Sequence, residues 1–271
     1  MHANAAAQTP QQIPLWTPDP ATAGQTRMAQ FMAATGHADY PSLWRWSVDE
    51  PAAFWPALWT FCGARGEMGR TVLENGDQMS GARWFPEARV NYAENLLQNR
   101  SASADALVFW GEDRVKRRWS QAALYAEVAR FQQHLRCLGV TAGDRVAGYL
   151  PNLPETLAAM LATTALGAIW SSASPDFGVQ GVLDRFGQIA PKVLLCVDGY
   201  WYNGKQVDCR EKNAAVAAQL PSLASVVQIS YLGLENTLST TPACLLWEAL
   251  PSASEDVVFT PLPFAHPLFI M

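Results

Sequence analysis

The chain has 271 residues, 49% of them hydrophobic and 16% charged, and carries a formal net charge of −5. That composition belongs to a folded protein with ample core material and excludes a disordered chain. A net-negative sequence lacks the basic footprint of a nucleic-acid-binding protein, while a few local donors still suffice to hold a phosphorylated small molecule.

Residues 1–13 are expected to be a disordered N-terminus, and residues 14–99 a cap. Five of the 11 tryptophans (Trp16, Trp44, Trp46, Trp55, Trp59) fall in the first 60 residues. Met28, Phe31 and Met32 predict one face of a short helix closed by Gly36. Asp49 is the expected N-cap of a second helix with Pro51 in its first turn. Phe54, Trp55, Leu58, Trp59 and Cys62 recur there at helical spacing, and Pro56 is expected to kink that helix or delay its start. The aromatic stripe suits packing against a neighbouring domain or the lining of a ligand pocket. "RWFPEARVNYAENLL" (83–97) joins this cap to the main body, residues 100–271.

From about Ala106 the pattern becomes regular. A hairpin turning at Gly111–Asp113 leads to a helix from Ser120 to about Leu138. A strand at Val146–Leu150, a helix from Pro154 to Leu166 and a strand at Ala168–Ser172 follow. Next come a helix over Val179–Ile189, a strand at Val193–Val197, a helix from about Glu211 to Leu220 and a strand at Val226–Ile229. Asn152 and Glu155 resemble a capping box at the start of the second of these helices. The strands are unbroken apolar runs that alternate with helices. The expected fold is therefore α/β, a Rossmann-like parallel sheet covered on both faces, with a helical, Trp-rich cap. Ligands of such sheets sit beyond the carboxyl ends of the strands, at loops 150–154, 172–178 and 198–206.

Five scattered cysteines (Cys62, Cys137, Cys196, Cys209, Cys244) include no C-x-x-C pair, so reduced thiols in a cytoplasmic protein are expected rather than disulfides or zinc. The start "MHANAAAQTPQQ" has neither the basic nor the apolar part of a secretory signal. The apolar run Leu157–Trp170 is broken by Thr163, Thr164 and Gly167 and falls short of the ~18–20 residues of a membrane span.

One stretch tests nucleotide chemistry directly. "GYWYNGK" (Gly199–Lys205) has the G-x-x-x-x-G-K spacing of a phosphate loop, after an apolar strand. Its chemistry is poor. Gln206 stands where Ser or Thr would hold Mg²⁺, and Tyr200, Trp201 and Tyr202 crowd the place where backbone N–H groups would wrap a phosphate. Two softer readings stay open: the aromatics stack on a purine while Lys205 pairs with a phosphate, or Lys205 is a solvated lysine beside aromatics packed on the sheet edge. G-x-G-x-x-G, H-E-x-x-H and G-x-S-x-G are absent, and His2, His37, His134 and His266 are isolated.

Four stretches in this order resemble the adenylate-forming acyl-CoA synthetases. "WFPEARVNYAENLL" is similar to their N-terminal cap and "GVTAGDRVAGYLPNLPETLAAMLATTALGAIWSSASPDFG" (139–178) to their early core. "RFGQIAPKVLLCVDGYWYNGK" and "HPLFIM" are similar to the acetoacetyl-CoA synthetase branch, as is the loop Trp170–Gly178. The resemblance implies ligation of acetoacetate to CoA, driven by ATP with Mg²⁺ through an acyl-adenylate, in a soluble protein with neither nucleic acid nor membrane as partner. An acetyl- or propionyl-CoA synthetase is the alternative within the class. It implies that Tyr202, Gly204 and Lys205 contact the phosphate-bearing nucleotide of CoA, with Tyr202 where acetyl enzymes have an arginine. It implies that Ser174 and Asp176 border the CoA channel, although a helix N-cap is a competing reading of that turn. It also implies that the phosphate loop, the metal ligands and the catalytic lysine lie beyond Met271. No catalytic or metal-binding residue is then expected in this stretch, which would be inactive alone or would pair with a second chain carrying the remainder.

Overall fold

A computed structural model of the chain describes residues 14–112, 114–235, 240 and 242–271; the expected disordered N-terminus and Asp113 of the expected turn lie outside the described residues. Packing divides the chain into two units, one ending at Ala64 and the other running from Arg65 to Met271.

The first unit is helical: α1 (Pro20–Gly24), α2 (Arg27–Thr35), α3 (Tyr40–Asp49) and α4 (Pro51–Cys62). Side-chain caps set the starts of three. Asp19 accepts from Thr22 N, Thr26 from Ala29 N, and Asp39 with Ser42 forms a reciprocal capping box. Gly36 ends α2 in the left-handed region (φ 75°), as the sequence predicts. Asp49 is not the cap of α4: it is the last residue of α3, and Glu50 takes the N-cap place without a side-chain hydrogen bond. Pro56 does not delay that helix, which starts at Pro51 and runs through it. Phe31 and Leu43, each 4% exposed, form the unit's core, and Phe31 is ringed by Trp46, Phe54 and Phe61 at centroid distances of 6.5, 5.8 and 4.9 Å.

The second unit opens with short strands β1 (Leu73–Glu74), β2 (Arg83–Trp84) and β3 (Arg89–Val90) and helix α5 (Tyr92–Leu96). The hairpin β4 (Asp105–Gly111) and β5 (Val115–Ser120) leads to α6 (Gln121–Cys137), capped by Ser120. The α/β core then runs β6 (Arg145–Tyr149), α7 (Pro154–Ala165), β7 (Ile169–Ala173), α8 (Val179–Ile189) and β8 (Val193–Val197). After it come β9 (Gly199–Tyr202), β10 (Lys205–Asp208), α9 (Arg210–Ala217), β11 (Ser225–Ile229), β12 (Cys244–Leu246), β13 (Leu262–Pro263) and β14 (Phe269–Ile270).

Six strands form one parallel sheet in the order β12-β11-β8-β6-β7-β14. Alternate residues of each strand face opposite ways, so one apolar run supplies two cores. Val146, Val193, Leu195 and Val227 pack with α6 and α7, whereas Ala147, Leu194, Cys196 and Val226 pack with α8 and α9. That is the two-faced burial the unbroken runs predict.

Glu155 has a different task from the one expected. Leu153 is the N-cap residue of α7 and makes no side-chain hydrogen bond, and Glu155, 5% exposed, pairs with Arg117 of β5 at 2.5 and 3.0 Å. A buried carboxylate satisfied by a forked guanidinium outranks a cap that solvent could replace.

The segment after β12 returns along α6 and α7 to the far edge of the sheet, tied at short intervals. Ser254 N donates to Gln133, Val258 exchanges two hydrogen bonds with the buried Gln132 amide, and Thr260 N donates to Ala165 O. Asn91 donates to Thr260 O, β13 pairs with β3, and His266 Nε2 lies 2.8 Å from Gly167 O. Trp170 N then donates to Leu268 O, and β14 joins β7.

Candidate functional site

The order of connections locates the site. From β6 the chain passes by α7 to β7 on one side, and from β8 by α9 to β11 on the other. The adjacent strands β6 and β8 thus send their chains apart, and the crevice beyond their carboxyl ends is where such sheets take ligands. Three segments meet there: the end of β6 at Tyr149, the loop 174–178 after β7, and the chain leaving β8 at Asp198.

Asp198 anchors the third segment. Fully buried, its Oδ1 accepts from the N–H groups of Gly199, Tyr231 and Leu232, and its Oδ2 from those of Leu232 and Leu234. One carboxylate therefore ties the start of β9 to the loop after β11. Gly199 is required by space: a Cβ there would lie 2.5 Å from the Val207 carbonyl oxygen.

The expected 198–206 loop is a β-hairpin, β9 against β10, and this settles the phosphate-loop question. The strands pair Tyr202 with Lys205, Trp201 with Gln206 and Tyr200 with Val207 around the turn Asn203–Gly204. Both turn residues have positive φ (49° and 73°), the backbone that matches the twist of a two-residue hairpin. Extended backbone with alternating side chains cannot curl its N–H groups around a phosphate. Cross-strand partners share a face, so Tyr202 and Lys205 stand side by side with Tyr200 further down, while Trp201 faces the opposite way. Tyr202 is 64% exposed and Lys205 is exposed, with no ion pair to any described residue.

At the base of the same face, the Tyr200 hydroxyl donates to Asp176 Oδ1 at 2.5 Å, and Ser174 Oγ donates to Asp176 Oδ2 at 2.8 Å. These two donors hold the Asp176 carboxyl below its ordinary range. Tyr200 shifts the other way, its phenol raised by burial and by the Asp176 carboxylate. The Tyr149 hydroxyl donates to Phe177 O, and burial pushes its pKa up to about 12. Lys212 of α9 donates to Pro175 O and lies 5.5 and 5.7 Å from the rings of Tyr149 and Tyr200. Loop 174–178 is thus braced from two strands, β6 and β9, and from helix α9. Ser174 and Asp176 do not cap α8, whose N-cap residue is Gly178, without a side-chain bond.

The structure therefore gathers all five residues singled out from the sequence onto two adjoining segments: Ser174 and Asp176 in the loop, and Tyr202, Gly204 and Lys205 at the hairpin tip, with Tyr200 linking them. Tyr149, Lys212 and Asp198 escaped the sequence reading. Tyr149 sits in an apolar run, Lys212 in an ordinary amphipathic helix, and Asp198 directly before the glycine that opens the G-x-x-x-x-G-K spacing. A buried-side aspartate directly before a glycine was the one available signal. Among the described residues no helix is long and apolar enough to cross a membrane, and no three His, Cys, Asp or Glu side chains gather to hold a metal ion.

Comparison with known proteins agrees with this architecture. Residues 96–271 match the family model described as AMP-binding enzyme, and residues 40–96 that of the acetyl-coenzyme A synthetase N-terminus. The acetoacetyl-coenzyme A synthetase of Rhizobium meliloti (strain 1021) is 49% identical over 95% of this chain, and that of Macaca fascicularis 41% identical over 95%. The solved acetoacetyl-CoA synthetase from Streptomyces lividans superposes with a TM-score of 0.86 at 40% identity over 96% of this chain. The malonamoyl-CoA synthetase of Penicillium aethiopicum is 33% identical over 86%. The chain spans about two fifths of the length of these acetoacetyl-CoA synthetases, 40–41% of each. With the family model matched over the whole α/β core, and with acetoacetyl-CoA synthetases as its relatives in both sequence and structure, the chain belongs to the AMP-binding enzyme family.

Proposed function

We propose that the protein is an acid–thiol ligase that joins acetoacetate to CoA at the expense of ATP, with Mg²⁺, and that this chain supplies its N-terminal part: a cap over 14–99 and the first portion of the ligase domain over 100–271. In the reaction, a carboxylate oxygen attacks the α-phosphorus of ATP as the α–β anhydride bond breaks and pyrophosphate leaves. The CoA thiolate then attacks the acyl carbon and AMP departs.

The observation that carries the reading is the agreement of sequence and fold with acetoacetyl-CoA synthetases along 95–96% of the chain. A chemical detail supports the acid. Acetoacetate and malonamate, the acids implied by the names of two relatives, both carry a carbonyl at the 3-position and differ by methyl against amino at its far side. Acetate and propionate lack that carbonyl.

At the hairpin, Lys205 has an exposed ammonium free to pair with a phosphate of the CoA nucleotide, Tyr202 offers a ring beside it, and Gly204 permits the turn that sets the two side by side. Ser174 and Asp176 border the channel for the rest of CoA, braced by Tyr200. The test is steady-state kinetics on the full-length protein. Acetoacetate should exceed acetate and propionate in kcat/KM by at least about tenfold, and Lys205→Ala should raise the KM for CoA about tenfold, as loss of one charge-assisted contact does. Equal use of acetate would overturn the acid assignment, and an unchanged KM for CoA would overturn the role of Lys205.

A further inference from the structure

The tip of the β9–β10 hairpin is held by a residue outside it. Glu112, at the end of the β4–β5 hairpin in a left-handed conformation (φ 46°), accepts from Asn203 N at 2.7 Å and from Gly204 N at 2.8 Å. These are the two N–H groups that a two-residue turn points outward, away from its own ladder. Beside this contact, the Arg114 guanidinium lies 5.0 Å from the centroid of Trp201, on the face opposite Lys205.

The body that carries Glu112 is itself anchored. Phe109 packs edge-on against Tyr231 at 6.0 Å, and Gly111 lies so close that a Cβ would stand 2.0 Å from the Tyr231 hydroxyl. Tyr231 in turn donates its N–H to the buried Asp198. The hairpin is therefore fixed twice: at its base by Asp198 and Tyr200, and at its tip by Glu112.

We propose that Glu112 is a positioning residue, which sets the Lys205 ammonium in place for an anionic ligand by gripping the turn on which Lys205 stands. This rests on the reading of the hairpin as the CoA nucleotide site. A two-stranded ribbon is marginally stable alone, and a tip left free sweeps Lys205 through many positions of which few meet a phosphate. Pinning both outward N–H groups removes that freedom before the ligand arrives.

The sign of the effect separates this from a bulk charge effect. Glu112 is negative and near the site, so an electrostatic role alone means that removing its charge tightens binding of an anion. Positioning means the reverse. Glu112→Gln keeps one acceptor and loses the charge; Glu112→Ala loses both. On the full-length protein we expect both to raise the KM for CoA, about threefold for Gln and up to about tenfold for Ala, with kcat and the KM for ATP unchanged. Amide hydrogen exchange at Asn203 and Gly204 should quicken in the same order. An unchanged or lowered KM for CoA in both variants overturns the proposal. If Lys205→Ala also leaves the KM for CoA unchanged, the site assignment fails and the proposal with it. If Lys205→Ala raises it while the Glu112 variants do not, the site stands and the positioning role alone is refuted.

Discussion

Replacing Asp198 by Asn tests the anchor on which the site is built. The substitution keeps shape and volume and exchanges one acceptor oxygen for an NH₂ donor. Oδ1 serves three N–H groups and Oδ2 two, one of them shared, so the amide oxygen will take the Oδ1 position. The NH₂ group then faces Leu234 N–H, donor against donor. Two polar groups are left without partners, at about 1–3 kcal/mol each, for a total of roughly 2–6 kcal/mol. At about 2–4 °C per kcal/mol for a unit of this size, the midpoint of thermal unfolding should fall by roughly 4–24 °C. Circular dichroism melts give that number, and amide hydrogen exchange at Tyr231, Leu232 and Leu234 locates it. Should the loop come away locally rather than with the whole unit, the melt moves less but those three amides still exchange faster. Unchanged exchange at all three would refute the reasoning.

Tyr200→Phe removes the first donor to Asp176. The Asp176 carboxyl should then titrate closer to its ordinary value, readable as a shifted ¹³C carboxyl titration. Because its folded pKa is lowered, the stabilisation is present above the unfolded-state value and lost as pH falls through the folded one. The variant should therefore show a shallower acid limb of stability. Gln228, fully buried on β11, has neither side-chain nitrogen nor oxygen paired among the described residues. Gln228→Met should thus be neutral or stabilising within about 1 kcal/mol, as checked by thermal melts, where a bonded glutamine would lose more.

The α/β core was legible because its strands are buried on both sides. Val193–Val197 and Val179–Ile189 fall where their patterns place them, for an unbroken apolar run and an amphipathic period leave few alternatives. Ends were less legible. Asp49 and Asn152 look like caps, and the chain used Glu50 and Leu153 instead, since local cap chemistry is worth about 1 kcal/mol and yields to tertiary demands such as the Arg117–Glu155 pair. At Gly199–Lys205, glycine spacing drew attention from the stronger signal, three aromatic residues before Asn-Gly, which is a hairpin. Of the site, the residues with visible motifs could be named. Their braces, Glu112 and Lys212, reach it from 91 and 37 residues away along the chain to Asn203 and Pro175, a distance no local pattern spans.

The returning segment bears on how the sheet closes. Phe269 pairs with Trp170 across nearly a hundred residues, and forming so large a loop in one event costs about 4 kcal/mol of chain entropy beyond a constant. A ladder of two residues could not carry that alone. With ties at Ser254, Val258, Thr260, Leu262 and His266, each contact shortens the free chain before the next to a few residues. The last strand is delivered to its edge like the final tooth of a zip, and a long-range pairing becomes a succession of local ones.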